Sequence, residues 1–301
     1  MQDELAIARG LLGSAAVGAG PTEEQRRIID CLIHGYFGLD AAVDALDPLD
    51  PAGLAAAVPT EDRTRVIDLL IAVELCRHPA DPAQAARTEA YALALGAEGG
   101  WLEATHDVLA GAIDRVAADY RRLADTPMHE PALDDVIGTD REAAAAIEIF
   151  ERMRASAPGA LGAEVVAFYD RWGFPIPGTG ADPFGLSLLT HDITHVIAGY
   201  DTDPKDEIAL QAMLLASADC EHHFSSFMAA LLLSEAGALP FPGIDPVVGA
   251  LARAGAPEEL ADALRRGRAC HRDFSDDDHL ALIDEPLEAV RARYGVVART
   301  A

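Results

Sequence analysis

Apolar positions recur every three to four residues along most of the chain, and the runs are cut by Gly, Pro and Asp. This pattern predicts successive amphipathic helices rather than strands. The stretch "TEEQRRIIDCLIHGYFGLDAAVDAL" opens with Thr22 three residues before Gln25, the spacing of a capping box, so a helix is expected to start there. "TEDRTRVIDLLIAVELCRH" opens the same way at Thr60. "HPADPAQAARTEAYALALGAEGGW" predicts a turn at Pro79 to Pro82 and a helix ending near Gly99 and Gly100, and "LEATHDVLAGAIDRVAADYRRL" adds one more helix. Residues 124–142, "ADTPMHEPALDDVIGTDRE", carry little helical period and read as a linker. Helical patterns resume with "AAAAIEIFERMRA", "CEHHFSSFMAALLLSEAG" and the C-terminal stretch. The expected fold is all-α, with two helical domains spanning residues 1–125 and 126–301.

Composition supports that class and narrows the partners. The chain of 301 residues is rich in Ala and Leu with only 6% aromatic residues, which suits closely packed helices. Fifty acidic against 23 basic residues leave a formal charge of −27, a surface that repels phosphate backbones and anionic headgroups. Nucleic-acid binding is therefore not expected, and any peripheral membrane contact would have to be apolar. Cys31, Cys76, Cys220 and Cys270 lie far apart without a CxxC pair, as expected of reduced thiols in a cytoplasmic protein. The N-terminal stretch opens with acids rather than a basic n-region, and no apolar run reaches the roughly 18 residues of a membrane span.

The chemically pointed stretch is "LLTHDITHVIAGYDTDPKDEIAL", residues 188–210. On a helix His191 and His195 are one turn apart, about 40° around the axis, so their imidazoles can converge on one ion. Asp192, about 100° from His191, could ligate directly or orient a ligand from behind. Gly199 should end that helix, and Asp203 as N-cap with Pro204 at the first helical position should start the next. Glu207 would then face back across the hairpin, and Gln211, one turn further, could contact a water on the metal. The competing reading is a pair of packed histidines hydrogen-bonded to carboxylates. A zincin would need HExxH, because the shorter Asp192 is a poor general base there, and a phosphohydrolase of the HD type would need further histidines that "EHH" at 221–223 only loosely supplies. His34, His78, His106, His222, His223, His271 and His279 read as solvated, capping or packed side chains.

HDxxH followed after eleven residues by Glu resembles the signature of the coenzyme Q (ubiquinone) biosynthesis family that carries an HDxxH metal site. "LGAEVVAFYDRWGF", "HVIAGYDTDPKDEIAL", "RRGRACHRDF" and "EPLEAVRARYGV" are similar to other parts of that family, so the likeness spans about residues 141–297. The resemblance implies a helical domain, a divalent ion (Zn or Fe, or Mn) held by His191, Asp192, His195 and Glu207, and an apolar cavity for an isoprenoid-like tail. The implied chemistry is oxidative decarboxylation or hydroxylation at C1 of a prenylated 4-hydroxybenzoate-like ring, or of a related specialised substrate, with Asp192 and Gln211 as catalytic candidates. A non-catalytic isoprenoid or quinone carrier is the alternative. A homodimer, cytoplasmic or at the inner face of the membrane, is also implied. The sequence departs from the family where "DPFGLSLLT" replaces an arginine-containing stretch and Asp206 replaces a glycine, changes that disfavour an anionic substrate head. Residues 69–96 weakly resemble tellurite-resistance TerB-like helical domains, so the first half is expected to be an interaction or regulatory module.

Overall fold

The computed structural model describes residues 3–96, 102, 105, 106, 130–180, 185–239 and 244–299. Among these the regular structure is helical and no strand occurs. The twelve α-helices are α1 (Glu4–Ser14), α2 (Glu23–Cys31), α3 (Pro51–Ala57), α4 (Arg63–Leu75), α5 (Pro82–Leu95), α6 (Glu142–Ala155), α7 (Leu161–Trp172), α8 (Leu189–Ala198), α9 (Pro204–Ser217), α10 (Glu221–Ser234), α11 (Ala256–Ala269) and α12 (Leu287–Tyr294). The all-α expectation holds.

Local chemistry explains where the helices begin and end. At α2 the Thr22 hydroxyl accepts from the Gln25 N–H at 3.2 Å while the Gln25 side chain accepts from the Thr22 N–H at 3.1 Å, the reciprocal capping box the spacing predicts. The helix does not run on as its pattern suggests. It passes at Leu32–Tyr36 into a π turn, where Gly35 lies so close to Leu264 that an added Cβ would be 2.6 Å from it. Thr60 is not a helix cap, because it falls in a 3-10 turn, Thr60–Asp62, ahead of α4. The helix α5 stops earlier than expected, at Gly96, which takes the left-handed conformation (φ 71°) that a β-carbon disfavours. Most of the helix expected after Trp101, and the start of the expected linker, lie outside the described residues. Two residues of the rest of that segment are anchored: Leu133 is buried, and the Glu130 carboxylate accepts from the His279 and Leu280 N–H groups at 2.9 and 3.3 Å.

Two hydrophobic clusters form the interior, and α9 serves both. Ile208, Ala212 and Leu215 join α1–α5, Phe224, Phe227 and Leu231 in the first. Leu210, Met213 and Leu214 join Phe150, Phe168, Ile193 and Tyr294 in the second. An α-helix apolar on nearly every face has no solvent side, so it can only be an interior helix. The closest approach is with α11, where a Cβ on Gly267 would meet the Met213 carbonyl at 2.2 Å. The first cluster thus draws residues from both sides of residue 125. Polar links cross that boundary as well, with His78 Nε2 2.9 Å from Glu235 and Tyr36 donating to Asp219.

Removing residues 1–129 would bare Ile208, Leu215, Phe227 and Leu231, each worth about 2 kcal/mol of burial. The remaining chain is expected to aggregate on purification, judged by size-exclusion chromatography. A monodisperse fragment of residues 130–301 would show instead that the two halves fold independently. A second expectation concerns Gly267→Val, which has to push a side chain into the backbone of α9. It should lower stability in urea by about 3 kcal/mol or more.

Candidate metal centre

The hairpin between α8 and α9 is built as its sequence predicts. Gly199 closes α8 in the left-handed conformation (φ 80°), its N–H bonded to the His195 carbonyl at 2.7 Å. Asp203 caps α9, accepting from the Lys205 N–H at 3.3 Å, with Pro204 as the first helical residue. Three arginines hold the end of α8 in place. Arg291 donates to the Val196 and Ile197 carbonyls at 3.1 and 2.9 Å, Arg266 to Ala198 at 2.5 Å, and Arg299 to Gly199 at 3.4 Å. These are the acceptors a helix terminus leaves without partners, and cations are favoured at this end of the helix dipole.

This placement brings His191, His195 and Glu207 together, with one ligand atom of each lying within 4.8 Å of the others. Both histidines turn Nε2 toward the carboxylate, at 3.3 Å for His195 and 3.6 Å for His191. Each holds its other nitrogen elsewhere. His195 Nδ1 lies 3.3 Å from the Tyr200 carbonyl, an acceptor, so Nδ1 carries a hydrogen and Nε2 is the atom turned to Glu207. His191 Nδ1 lies 3.5 Å from Asp192 Oδ1. Phe168 stacks on the His195 ring at 5.6 Å, and that ring is 1% exposed, whereas His191 and Glu207 retain 22% and 25% of their side-chain exposure. The cluster thus has a sealed back and an accessible front.

Two buried atoms at this place make no hydrogen bond: His195 Nε2 and Gln211 Oε1. Buried polar atoms without partners are costly, and a divalent ion among these nitrogen and oxygen donors would satisfy them. The donor set therefore fits a metal. Electrostatics agree. Burial alone would raise the Glu207 carboxyl, but the facing His195 and His191 rings outweigh it and hold the group well below the usual carboxylate range. Burial likewise works against a charged His191, yet hydrogen bonds to Asp192 and Glu207 prevail and push it up to about 10. A proton on His191 stands where a cation's charge would be.

The other expected site residues take distinct places. Asp192 stands outside the cluster, its Oδ2 accepting from the Tyr169 hydroxyl and its Oδ1 3.5 Å from His191 Nδ1. Gln211 is beside the cluster, its amide nitrogen 3.2 Å from His191 Nε2. Asp206 does not add a free negative charge next to Glu207, since Arg299 (3.3 Å) and Lys205 (3.7 Å) neutralise it. His223 pairs with Asp273 at 2.6 Å and His279 with the Phe274 carbonyl at 2.9 Å, both buried in packing roles. An open cleft of about 650 Å³ beside Tyr200 is lined by Glu258, Glu259, Asp262, Arg265 and Arg299; its charged walls differ from the apolar cavity the resemblance implies. Tyr169, Phe168 and the Tyr200 carbonyl were not legible as site groups, and the helical period of "LGAEVVAFYDRW" marks Phe168 and Tyr169 only as buried.

No family model matches the sequence, and no curated protein does. A solved structure of a Nostoc punctiforme protein, assigned provisionally to ubiquinone biosynthesis, matches at 23% identity with a TM-score of 0.39, covering 65% of this chain and 97% of that one. At that TM-score the likeness is loose.

Metal binding at this cluster has to displace the proton from His191. Because that proton is held up to a pH of about 10, affinity is expected to rise roughly tenfold per pH unit across the neutral range, with one proton released per ion bound. Titration calorimetry in buffers of different ionisation enthalpy measures both. Affinity independent of pH would show that His191 is not a ligand.

Proposed function

We propose that this chain is a metal-dependent enzyme that oxidatively modifies an aromatic acid with an apolar, prenyl-like tail, replacing the carboxyl at C1 of a 4-hydroxybenzoate-like ring with a hydroxyl. The observation that supports it is the donor set: two imidazoles and one carboxylate converge from one side, and the His191–Glu207 side is reachable from solvent. Two histidines and a carboxylate leave positions open on an iron-type ion, whereas a structural zinc site takes four protein ligands. Iron bound there would supply the one-electron chemistry toward dioxygen that the reaction requires. The overall change consumes the acid, dioxygen, two protons and two electrons from an external reductant, and yields the phenol, carbon dioxide and water.

The chain's own residues then have definite tasks. His191, His195 and Glu207 hold the ion, and Phe168 keeps water from the back of His195. Gln211, 5% exposed and next to His191, offers an amide to a polar group of the substrate. No helix among the described residues is long and apolar enough to cross a membrane.

Metal analysis of the purified chain beside a His191→Ala/His195→Ala double variant is the first test, with one ion per wild-type chain and none in the variant expected. Iron-loaded protein given a prenylated 4-hydroxybenzoate, dioxygen and a reductant should then yield the decarboxylated, hydroxylated ring by mass spectrometry, and Glu207→Ala should abolish it. Protein that retains the prenylated compound unchanged under these conditions is a carrier. Equal metal content in wild type and double variant removes the metal centre altogether.

A further inference from the structure

Asp192 sits one residue from a metal-binding histidine, and its carboxylate could either join the ion or stay behind the ring. The surroundings decide between these. Its Oδ2 accepts the Tyr169 hydroxyl, and its Oδ1 faces Nδ1 of His191 at 3.5 Å. The two ring nitrogens of an imidazole point their lone pairs in divergent directions, so a carboxylate at Nδ1 is turned away from an ion on Nε2 of the same ring. Tyr169 comes from a different helix, α7, and cannot follow Asp192 if that side chain swings. The tyrosine is itself closely packed: it is 4% exposed, its ring set edge-on against Phe150 at 4.8 Å and Phe174 at 5.8 Å.

We propose that Tyr169 is a positioning residue which keeps Asp192 off the ion and against His191, so that the centre has three protein ligands rather than four. This inference rests on the metal-centre reading above. By fixing Asp192, Tyr169 orients the His191 ring toward Glu207 and leaves one more coordination position for substrate or dioxygen. Outer carboxylates that orient a ligating histidine change metal affinity by about 10–100-fold when removed.

Tyr169→Phe isolates the hydroxyl, because the ring and its contacts with Phe150, Phe168 and Phe174 are retained. The experiment compares Co(II) binding and the visible absorption of the Co(II) protein in wild type, Tyr169→Phe, Asp192→Asn and the double variant, together with the melting temperature of each without metal. The expected result is about tenfold weaker Co(II) binding and an altered Co(II) spectrum in Tyr169→Phe, at a nearly unchanged melting temperature. The double variant should bind no more weakly than Asp192→Asn alone, since the hydroxyl acts through that carboxylate. Wild-type affinity and spectrum in Tyr169→Phe, or losses that add in the double variant, would overturn the assignment. A wild-type chain that takes up no Co(II) overturns the metal centre, and this assignment with it.

Discussion

A carboxylate on a helix that is buried on both sides has to be neutralised where it stands. Glu207 is in that position, since α9 supplies Ile208 and Leu215 to one hydrophobic cluster and Leu210 and Met213 to the other. The helix cannot turn to release the charge without pulling apolar side chains out of both clusters. Opposite charge therefore comes to Glu207, whose side chain keeps a quarter of its exposure, and stabilises the carboxylate there. The two histidines of α8 fulfil that need, at 3.3 and 3.6 Å. The short turn from Gly199 to Asp203 keeps them there by allowing α8 little freedom to slide along α9.

The same demand runs outward through each imidazole. A ring that offers Nε2 to the centre needs an acceptor for Nδ1, and the chain supplies the Tyr200 carbonyl for His195 and Asp192 for His191. Asp192 in turn meets Tyr169, and Tyr169 is wedged among aromatic rings of the second cluster. Orientation at the centre is thus set by packing two helices away. Gly267 belongs to the same chain of dependence, because its missing side chain lets α11 press against α9 at Met213.

What could be read from the sequence was the local part. The four-residue histidine spacing, the glycine stop and the Asp–Pro start lie within seventeen residues, Leu189 to Lys205, and their geometry follows from helix periodicity and capping alone. The role of Asp192 stayed open because it depends on Tyr169, 23 positions earlier and on another helix. The arginines that bind the carbonyls of α8 stand 68 to 100 positions away from the groups they hold and carry no local signature. The arrangement of the interior was hidden for a different reason. A helix apolar all round shows no stripe, so nothing in the α9 pattern says that it joins two clusters. The π turn after Cys31 was equally invisible, and the close approach of Gly35 to Leu264 that accompanies it involves a distant helix.

The arginines at the end of α8 also bear on the birth of the protein. A chain emerges from the ribosome N-terminal end first, so His191 and His195 are exposed well before Arg266, Arg291 and Arg299 exist. Until those side chains arrive, the carbonyls of the last turn of α8 lack the donors that hold them in the folded chain. The end of α8, and with it the final placement of the histidine pair against Glu207, is therefore completed only after translation has passed the last of these arginines.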